Sequence, residues 1–384
     1  MRILQITEKI NELAGGTSVH ICKLAGATAD MNAGPVEIVA FKWTKRHKGG
    51  LVETPPNVQL HLFEPKRPYL YGHSREFGNY LKQAAADETA IFHVHNMWRL
   101  PLVAACERAY KNGRPCVVSP HGALNPWALT VKSLRKKVMW RLIEKSRLQN
   151  ATVVHATSML EADYLASLIH GVPIAMIPPG TDLPKLPAQR PVNERKTALF
   201  LSRIAPNKGL LLLLKAWSII RPKDWKLVVA GSNEGGHQEE CQRAARQYGL
   251  DDSISFIGSV FQGKKWGPYL SADLFILPTL SENFGIAIAE ALASAVPVIT
   301  TKGAPWKELL THQCGWWIDI GVEPLVAATR EAFKLDLAEL RAMGQRGRAL
   351  IEKKYTWPGI ARETVKVYEW AASGGDRPAC IVYE

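Results

Sequence analysis

"SADLFILPTLSENFGIAIAEALASAVPVIT", residues 271–300, reads as a buried strand, a turn, a helix and a second strand. "DLFILP" is a short apolar run closed by Pro278, "GIAIAEALAS" carries helix formers from Gly285 onward, and "PVIT" is β-branched. A strand, a helical crossover and another strand at this spacing form the βαβ unit of a parallel sheet. Two carboxylates sit inside it, Glu282 on the strand-to-helix turn and Glu290 within the helix. Open α/β sheets bind ligands at the carboxyl ends of their strands, which is where Glu282 falls.

The same alternation runs outward in both directions. Short β-branched runs, "RILQIT", "VEIVAF", "AIFHVH", "CVVSP", "TVVHAT" and "IAMIPPG", are separated by helical stretches. The series restarts near residue 197 with "TALFLS", "KLVVAG", "SISFIG", "DLFILP" and "PVIT". Between the two series lies "PPGTDLPKLPAQRPVNERK", rich in proline and charge and without periodicity, as linkers are. The expected architecture is α/β, with two Rossmann-like domains whose parallel sheets face each other across a cleft. The first covers 1–183 and the second 192–355. "YTWPGIARETVKVYEW", residues 355–370, has an amphipathic pattern through Ile360, Val365, Val367 and Tyr368; a helix over 357–372 is expected to cross back to the first domain.

Composition narrows the class. With 384 residues, 47% of them hydrophobic, the chain can bury a large core. No apolar run reaches the eighteen or so residues of a membrane span, and "MRILQIT" reads as a strand without the flanks of a signal peptide. The expected compartment is cytoplasmic. The six cysteines show no zinc-site spacing and are read as free, packing thiols. The net charge of +13 is uneven: residues 1–190 hold 24 Lys/Arg against 14 Asp/Glu, a net of +10, which leaves +3 for the rest. Such a surface attracts nucleic acid, anionic lipid or phosphorylated small molecules. No RNA-recognition signature, KH loop or zinc finger is present, so nucleic acid is not an expected partner.

Paired carboxylates bring glycoside hydrolysis to mind, which needs the carboxyl groups about 5 Å apart for retention or about 6.5–9.5 Å apart for inversion. Eight helical residues rise about 12 Å, so Glu282 and Glu290 fit better as grips on separate parts of one long ligand. A nucleotide-diphosphate sugar is such a ligand, with a hexose and a ribose separated by a diphosphate. Backbone N–H groups near Phe284 and Gly285, at a helix N-terminus, would face the diphosphate. Taken alone, the pair also fits a capping Glu282 and a solvated Glu290. "LSRIAPNKGL", residues 201–210, adds Arg203 and Lys208 at another strand end, where two cations can clamp a diphosphate and neutralise it as it leaves.

The second half resembles a retaining glycosyltransferase of the GT-B fold, family 4, the "glycosyl transferases group 1". The resemblance is carried by "LSRIAPNKGL", "VVAGSNEGG", "ISFIGSV", the opening stretch and "GWW". It implies that Glu282 contacts the transferred sugar, that Glu290 binds the ribose, that Arg203 and Lys208 hold the diphosphate, and that Asn283, Phe284 and Gly285 line the donor. "GGTSVHICKLA" is similar to the family's Gly-Gly loop, which places Gly15 and Gly16 against the donor. "SPHGALNPWAL" matches members that build surface polysaccharides, and implies that His121 reaches the donor sugar; a histidine bonded to local backbone is the other reading. His95 and Trp98 in "HVHNMWRLP" fit either the acceptor side or packing, and His20 is read as structural. Glu308 also recurs in similar sequences without a role that physics assigns. The family usually has Asn at the position of Pro179 and commonly Ser at that of Thr279.

No Asp-x-Asp pair, two aspartates separated by a single residue, is present, and Arg203 and Lys208 stand in for a cation, so neither a metal nor a cofactor is expected. The implied reaction moves a sugar from a nucleotide-diphosphate donor to a hydroxyl of a glycan or lipid-linked acceptor in surface polysaccharide or lipopolysaccharide synthesis. A nucleotide-sugar epimerase or sugar phosphorylase shares the scaffold, and a non-catalytic basic binding module is the remaining class. "VKSLRKKVMWRLIEKSRLQN", residues 131–150, sets Val131, Leu134, Val138 and Leu142 on one face among seven Lys/Arg. It reads as a helix lying on an anionic membrane or as one that packs its apolar face on its own domain.

Overall fold

The computed structural model describes residues 1–11, 16–42, 50–65, 74–130, 133–188, 194–260 and 264–383. They fall into two compact units, Met1–Gly180 with Trp357–Glu384, and Thr181–Thr356. Strands β1 (Arg2–Ile6), β2 (Val36–Phe41), β3 (Gln59–Phe63), β4 (Ala90–His95), β5 (Cys116–Ser119), β6 (Val153–Ala156) and β7 (Ile174–Met176) belong to the first unit. The second holds β8 (Lys196–Leu201), β9 (Trp225–Ala230), β10 (Ile254–Gly258), β11 (Leu274–Leu277), β12 (Val298–Thr301) and β13 (Gly315–Ile318). A last strand, β14 (Ile381–Tyr383), returns to the first.

The second unit's sheet runs β10-β9-β8-β11-β12-β13, all parallel. Counted within the unit this is 3-2-1-4-5-6, the doubly wound order whose switch point lies between its first and fourth strands, here β8 and β11. Fully buried Trp217, Tyr269, Phe275 and Trp306 lie in its core. The first unit's sheet runs β14-β7-β6-β5-β4-β1-β2-β3, with its own switch point between β1 and β4. It differs from the purely parallel expectation, because β14 pairs antiparallel with β7 and closes that edge. Sequence reading also passed over β3, whose residues are exposed or half-buried and so make no apolar run, and β13, built from "GWWI".

Residues two apart on a strand share a face. On one face of the first sheet, Ile3, Ile91, Val117 and Val153 pack in one core cluster, and the next same-face residues are Gln5, His93, Ser119 and His155, with His95 beyond. The face therefore turns from apolar to polar towards the carboxyl ends. The helix Trp357–Ser373 lies in the first unit, as expected, and buries Ile360, Ala361, Thr364, Val367 and Tyr368. Val365, expected in this stripe, is only half-buried; Thr364 takes the place and bonds back to the Ile360 carbonyl at 2.9 Å. The six cysteines are free thiols, five of them buried. Among the described residues no helix is long and apolar enough to cross a membrane.

Candidate active site

The switch point of the second unit carries an ion pair. Lys208 ends a short 3₁₀ turn, Pro206–Lys208, after β8, and its Nζ lies 2.5 Å from Oε1 of Glu282, on the turn after neighbouring β11. Both side chains are largely buried, 8% and 14% exposed, so neither charge is dissipated by water. The two turns are sewn together. The Leu280 N–H donates to the Asn207 carbonyl at 2.7 Å and the Glu282 N–H to the Gly303 carbonyl at 2.7 Å. The hydroxyl of buried Thr279 donates to the Asn207 carbonyl at 2.9 Å, so Thr serves the position where Ser is common in the family. Gly209 makes the approach possible: its φ is 73°, and a Cβ there would stand 1.9 Å from the Pro278 carbonyl oxygen.

Glu290 lies on the helix Ile286–Ala293, which begins after Gly285, whose φ is 90°. Its carboxylate accepts from Lys265 Nζ at 2.7 Å and from the hydroxyl of fully buried Tyr269 at 2.9 Å. Burial, and then the charge of Glu290, push the Tyr269 phenol well above its ordinary value, so it stays a donor. Lys265 and Tyr269 were not singled out in the sequence. Arg203 is not drawn into the Lys208–Glu282 pair; half-exposed, it pairs with Glu234 beyond β9. Phe284 turns its ring into the core, 5.2 Å from Trp306, whose indole N–H donates to the Phe284 carbonyl at 2.6 Å. Asn283 is half-buried on the same turn. Glu308 binds Lys354 at 2.5 Å and the Tyr355 hydroxyl, contacts that tie its own unit together.

In the first unit, His95 Nδ1 lies 2.9 Å from His121 Nε2, and His95 Nε2 lies 2.6 Å from Gln5 Oε1 across the switch point. The His93 ring lies tilted 4.1 Å from that of His95, and His93 reaches Tyr368 and Ser119, each at 2.6 Å; Ser119 is 2.7 Å from His155. His20 sits edge-on to His121 at 5.4 Å with both ring nitrogens buried and unbonded. Burial is the leading cause that lowers the basicity of all five rings, which keeps them neutral; His20 is lowered to about 3. His121 is thus bonded to a side chain and not to local backbone. Sequence reading found His95 and His121 but missed Gln5, His93, Ser119, His155 and Tyr368.

His121, after β5, has φ 52°, and the loop after β4 is strained: Asn96 has φ 72° and Trp98 φ 68°, the latter an outlier for a bulky side chain. A buried ion pair, Glu144–Arg147 at 2.7 Å, holds it. Glu144 accepts the Trp98 N–H at 2.6 Å and Arg147 donates to the Asn96 carbonyl at 3.0 Å. Gly16 opens the helix Gly16–Ala29, whereas Gly15 lies outside the described residues.

With both switch points described, two family models account for the chain: Glycosyltransferase Family 4 over residues 14–185 and Glycosyl transferases group 1 over residues 184–350. The chain belongs to glycosyltransferase family 4. This glycosyltransferase-family chain is 28% identical over 273 residues, 69% of its length and 70% of the relative's, to the GDP-mannose:cellobiosyl-diphosphopolyprenol alpha-mannosyltransferase of Xanthomonas campestris. It is 29% identical over 181 residues to an uncharacterized glycosyltransferase of Methanocaldococcus jannaschii and spans about half, 46%, of that relative's length. Among solved structures, sucrose-phosphate synthase from Thermosynechococcus elongatus matches with a TM-score of 0.79 at 20% identity, covering 98% of this chain and 100% of that one. The likeness shows the fold, two parallel-sheet α/β domains of the GT-B class.

The basic segment of this family member is helical without a break over residues 133–149, with one π-helical turn inside it. Ser133–Met139 and Lys145–Gln149 are α-helical and Trp140–Glu144 between them is a π-turn. Its expected apolar face does not pack on its own unit: Leu134, Val138 and Leu142 are 77%, 50% and 71% exposed. Val131 and Lys132 lie outside the described residues.

Proposed function

We propose that this protein transfers a sugar from a nucleotide-diphosphate sugar to a hydroxyl of a glycan or lipid-linked glycan, with retention at the anomeric carbon and without a divalent metal. The Lys208–Glu282 pair carries the reading: a cation and a carboxylate, both largely buried, sit together at the point of a doubly wound sheet where ligands bind. When donor enters, Glu282 exchanges Lys208 for sugar hydroxyls, and Lys208 with Arg203 turns to the diphosphate. Glu290, already oriented by Tyr269, takes the ribose hydroxyls. Asn283, Phe284 and Gly285 contribute backbone at the start of a helix. In the first unit His121 takes a hydroxyl of the donor sugar, Gly15 and Gly16 serve the donor, and His95 and Trp98 serve the acceptor.

In the reaction the acceptor oxygen bonds to the anomeric carbon on the face from which the nucleotide departs. The bond from that carbon to the diphosphate oxygen breaks with its electron pair. The acceptor's proton passes to the departing phosphate oxygen. Lys208 and Arg203 stabilise the charge that grows there. The name of the Xanthomonas campestris relative specifies a nucleotide-diphosphate sugar and a lipid-linked glycan, which supports these two substrate classes. Release of nucleoside diphosphate from candidate donors in EDTA tests the reading. Lys208→Met and Glu282→Gln should each lose it by a hundredfold or more, on the order of one lost transition-state contact. Activity equal to the wild type in both variants overturns the assignment.

The same reading places the acceptor at an anionic membrane. Exposed Leu134, Val138 and Leu142 stand among exposed Arg135, Lys137, Arg141 and Lys145, the composition of an interfacial segment. Its other side, through Glu144 and Arg147, clamps the loop that carries Trp98.

A further inference from the structure

The buried histidines of the first unit leave their hydrogen bonds only one set of directions. The fixed point is the Ile177 carbonyl, which can only accept; His155 Nε2, 2.8 Å away, must carry the hydrogen. In a neutral ring Nδ1 then accepts, and the Ser119 hydroxyl donates to it at 2.7 Å. Ser119 Oγ in turn accepts from His93 Nε2 at 2.6 Å, and His93 Nδ1 accepts from the Tyr368 hydroxyl at 2.6 Å. With its hydrogen given, Tyr368 accepts from Gln5 Nε2 at 2.9 Å. That turns Gln5 Oε1 towards His95, whose Nε2 donates to it at 2.6 Å. His95 Nδ1 is left to accept from His121 Nε2 at 2.9 Å.

We propose that this chain is a positioning device that holds His121 as its Nε2–H tautomer, so that Nδ1 is presented to ligand as an acceptor, and that Tyr368 on the C-terminal helix relays the direction fixed at the Ile177 carbonyl. Assigning the matching hydroxyl to a donor sugar rests on the function proposed above; the direction of the chain does not. A flipped Gln5 would face the Tyr368 oxygen with its own carbonyl and forfeit one buried hydrogen bond, a preference of roughly tenfold for the direction described. Without the Tyr368 hydroxyl the two orientations of Gln5 become comparable, and His95 and His121 can both reverse.

Side-chain ¹⁵N NMR of the full-length protein at pH 7.5 separates the two tautomers of each histidine. In the wild type His93, His95, His121 and His155 should all be Nε2–H. In Tyr368→Phe only His95 and His121 should divide between tautomers, about equally; in Ser119→Ala His93 joins them while His155 stays fixed by Ile177. A general loosening of the unit would not follow the order of the chain. If the transfer reading also holds, donor KM in Tyr368→Phe rises by about twofold, because about half of the molecules hold the tautomer that accepts the donor hydroxyl, with kcat little changed. An Nδ1–H or charged ring among the four in the wild type overturns the proposal, as does a pure Nε2–H His121 in Tyr368→Phe. Absence of transfer with the tautomer pattern intact removes only the functional reading.

Discussion

Acid should unfold the first unit well before its carboxylates titrate. His20, His93, His95, His121 and His155 lie close together, and burial is the leading cause that holds each below its ordinary value. In the unfolded chain each returns to about 6.5. Because the folded values lie below the unfolded one, the unfolded chain binds more protons, so stability is held above about pH 6.5 and lost as the pH falls. Between pH 6.5 and 5.5 each ring held well below that range costs about 1 kcal/mol, and the four so held, His20, His93, His95 and His121, cost about 4 kcal/mol, close to the whole stability of many domains. At pH 6 unfolding should take up about three protons on these four rings, about three quarters of one per ring. Calorimetric unfolding in buffers of different ionisation enthalpy counts these protons, and denaturant titration from pH 7.5 to 5.5 gives the loss directly. An uptake below about one proton at pH 6, or a stability that stays flat across that range, would refute the reasoning, since the rings would then be as free to charge in the fold as outside it.

Other outcomes follow from single contacts. Gly209→Ala forces a methyl group into the Pro278 carbonyl and an alanine into a left-handed backbone; the second unit should lose about 2–4 kcal/mol by denaturant titration, and nucleotide affinity should fall with it. Leu134→Glu with Leu142→Glu should abolish sedimentation with vesicles that contain phosphatidylglycerol while the protein stays folded; undiminished binding would show that the exposed face is not the docking surface. Tyr269→Phe removes one of two donors to Glu290 and should weaken nucleoside diphosphate binding by about three- to tenfold, read by calorimetry, with little effect on the sugar-side contacts of Glu282.

The local part of the site was legible because it is written in neighbouring residues. A strand closed by Pro278, a glycine at 285 and an apolar helix put Glu282 on a turn and Glu290 inside a helix, and both stand there. The pairing of Lys208 with Glu282 depends on β8 lying beside β11 and on Gly209 touching Pro278, neither of which leaves a mark in local sequence. Arg203, five residues from Lys208, goes instead to Glu234, because a surface arginine takes the nearest carboxylate that the tertiary structure supplies. The histidine chain had a visible trace in the two-residue spacing of His93 and His95. Joining it to Gln5, Ser119 and His155 requires the strand order β1-β4-β5-β6, and Tyr368 arrives from a helix more than two hundred residues away in sequence. The basic segment had the same amphipathic pattern for a packed as for an exposed face; only the buried Glu144 and Arg147 show which side is anchored.

The central claim is a donor site in the second unit that grips a nucleoside diphosphate through Lys208 and needs no metal. It is tested most directly by thermal unfolding of the wild type and of Lys208→Met with UDP, GDP, ADP and CMP, each in EDTA. The account predicts that one nucleotide raises the wild-type midpoint, by an amount that grows with its concentration, and leaves the variant unmoved. No shift with any nucleotide, or a shift that appears only when a divalent metal is restored, would contradict it.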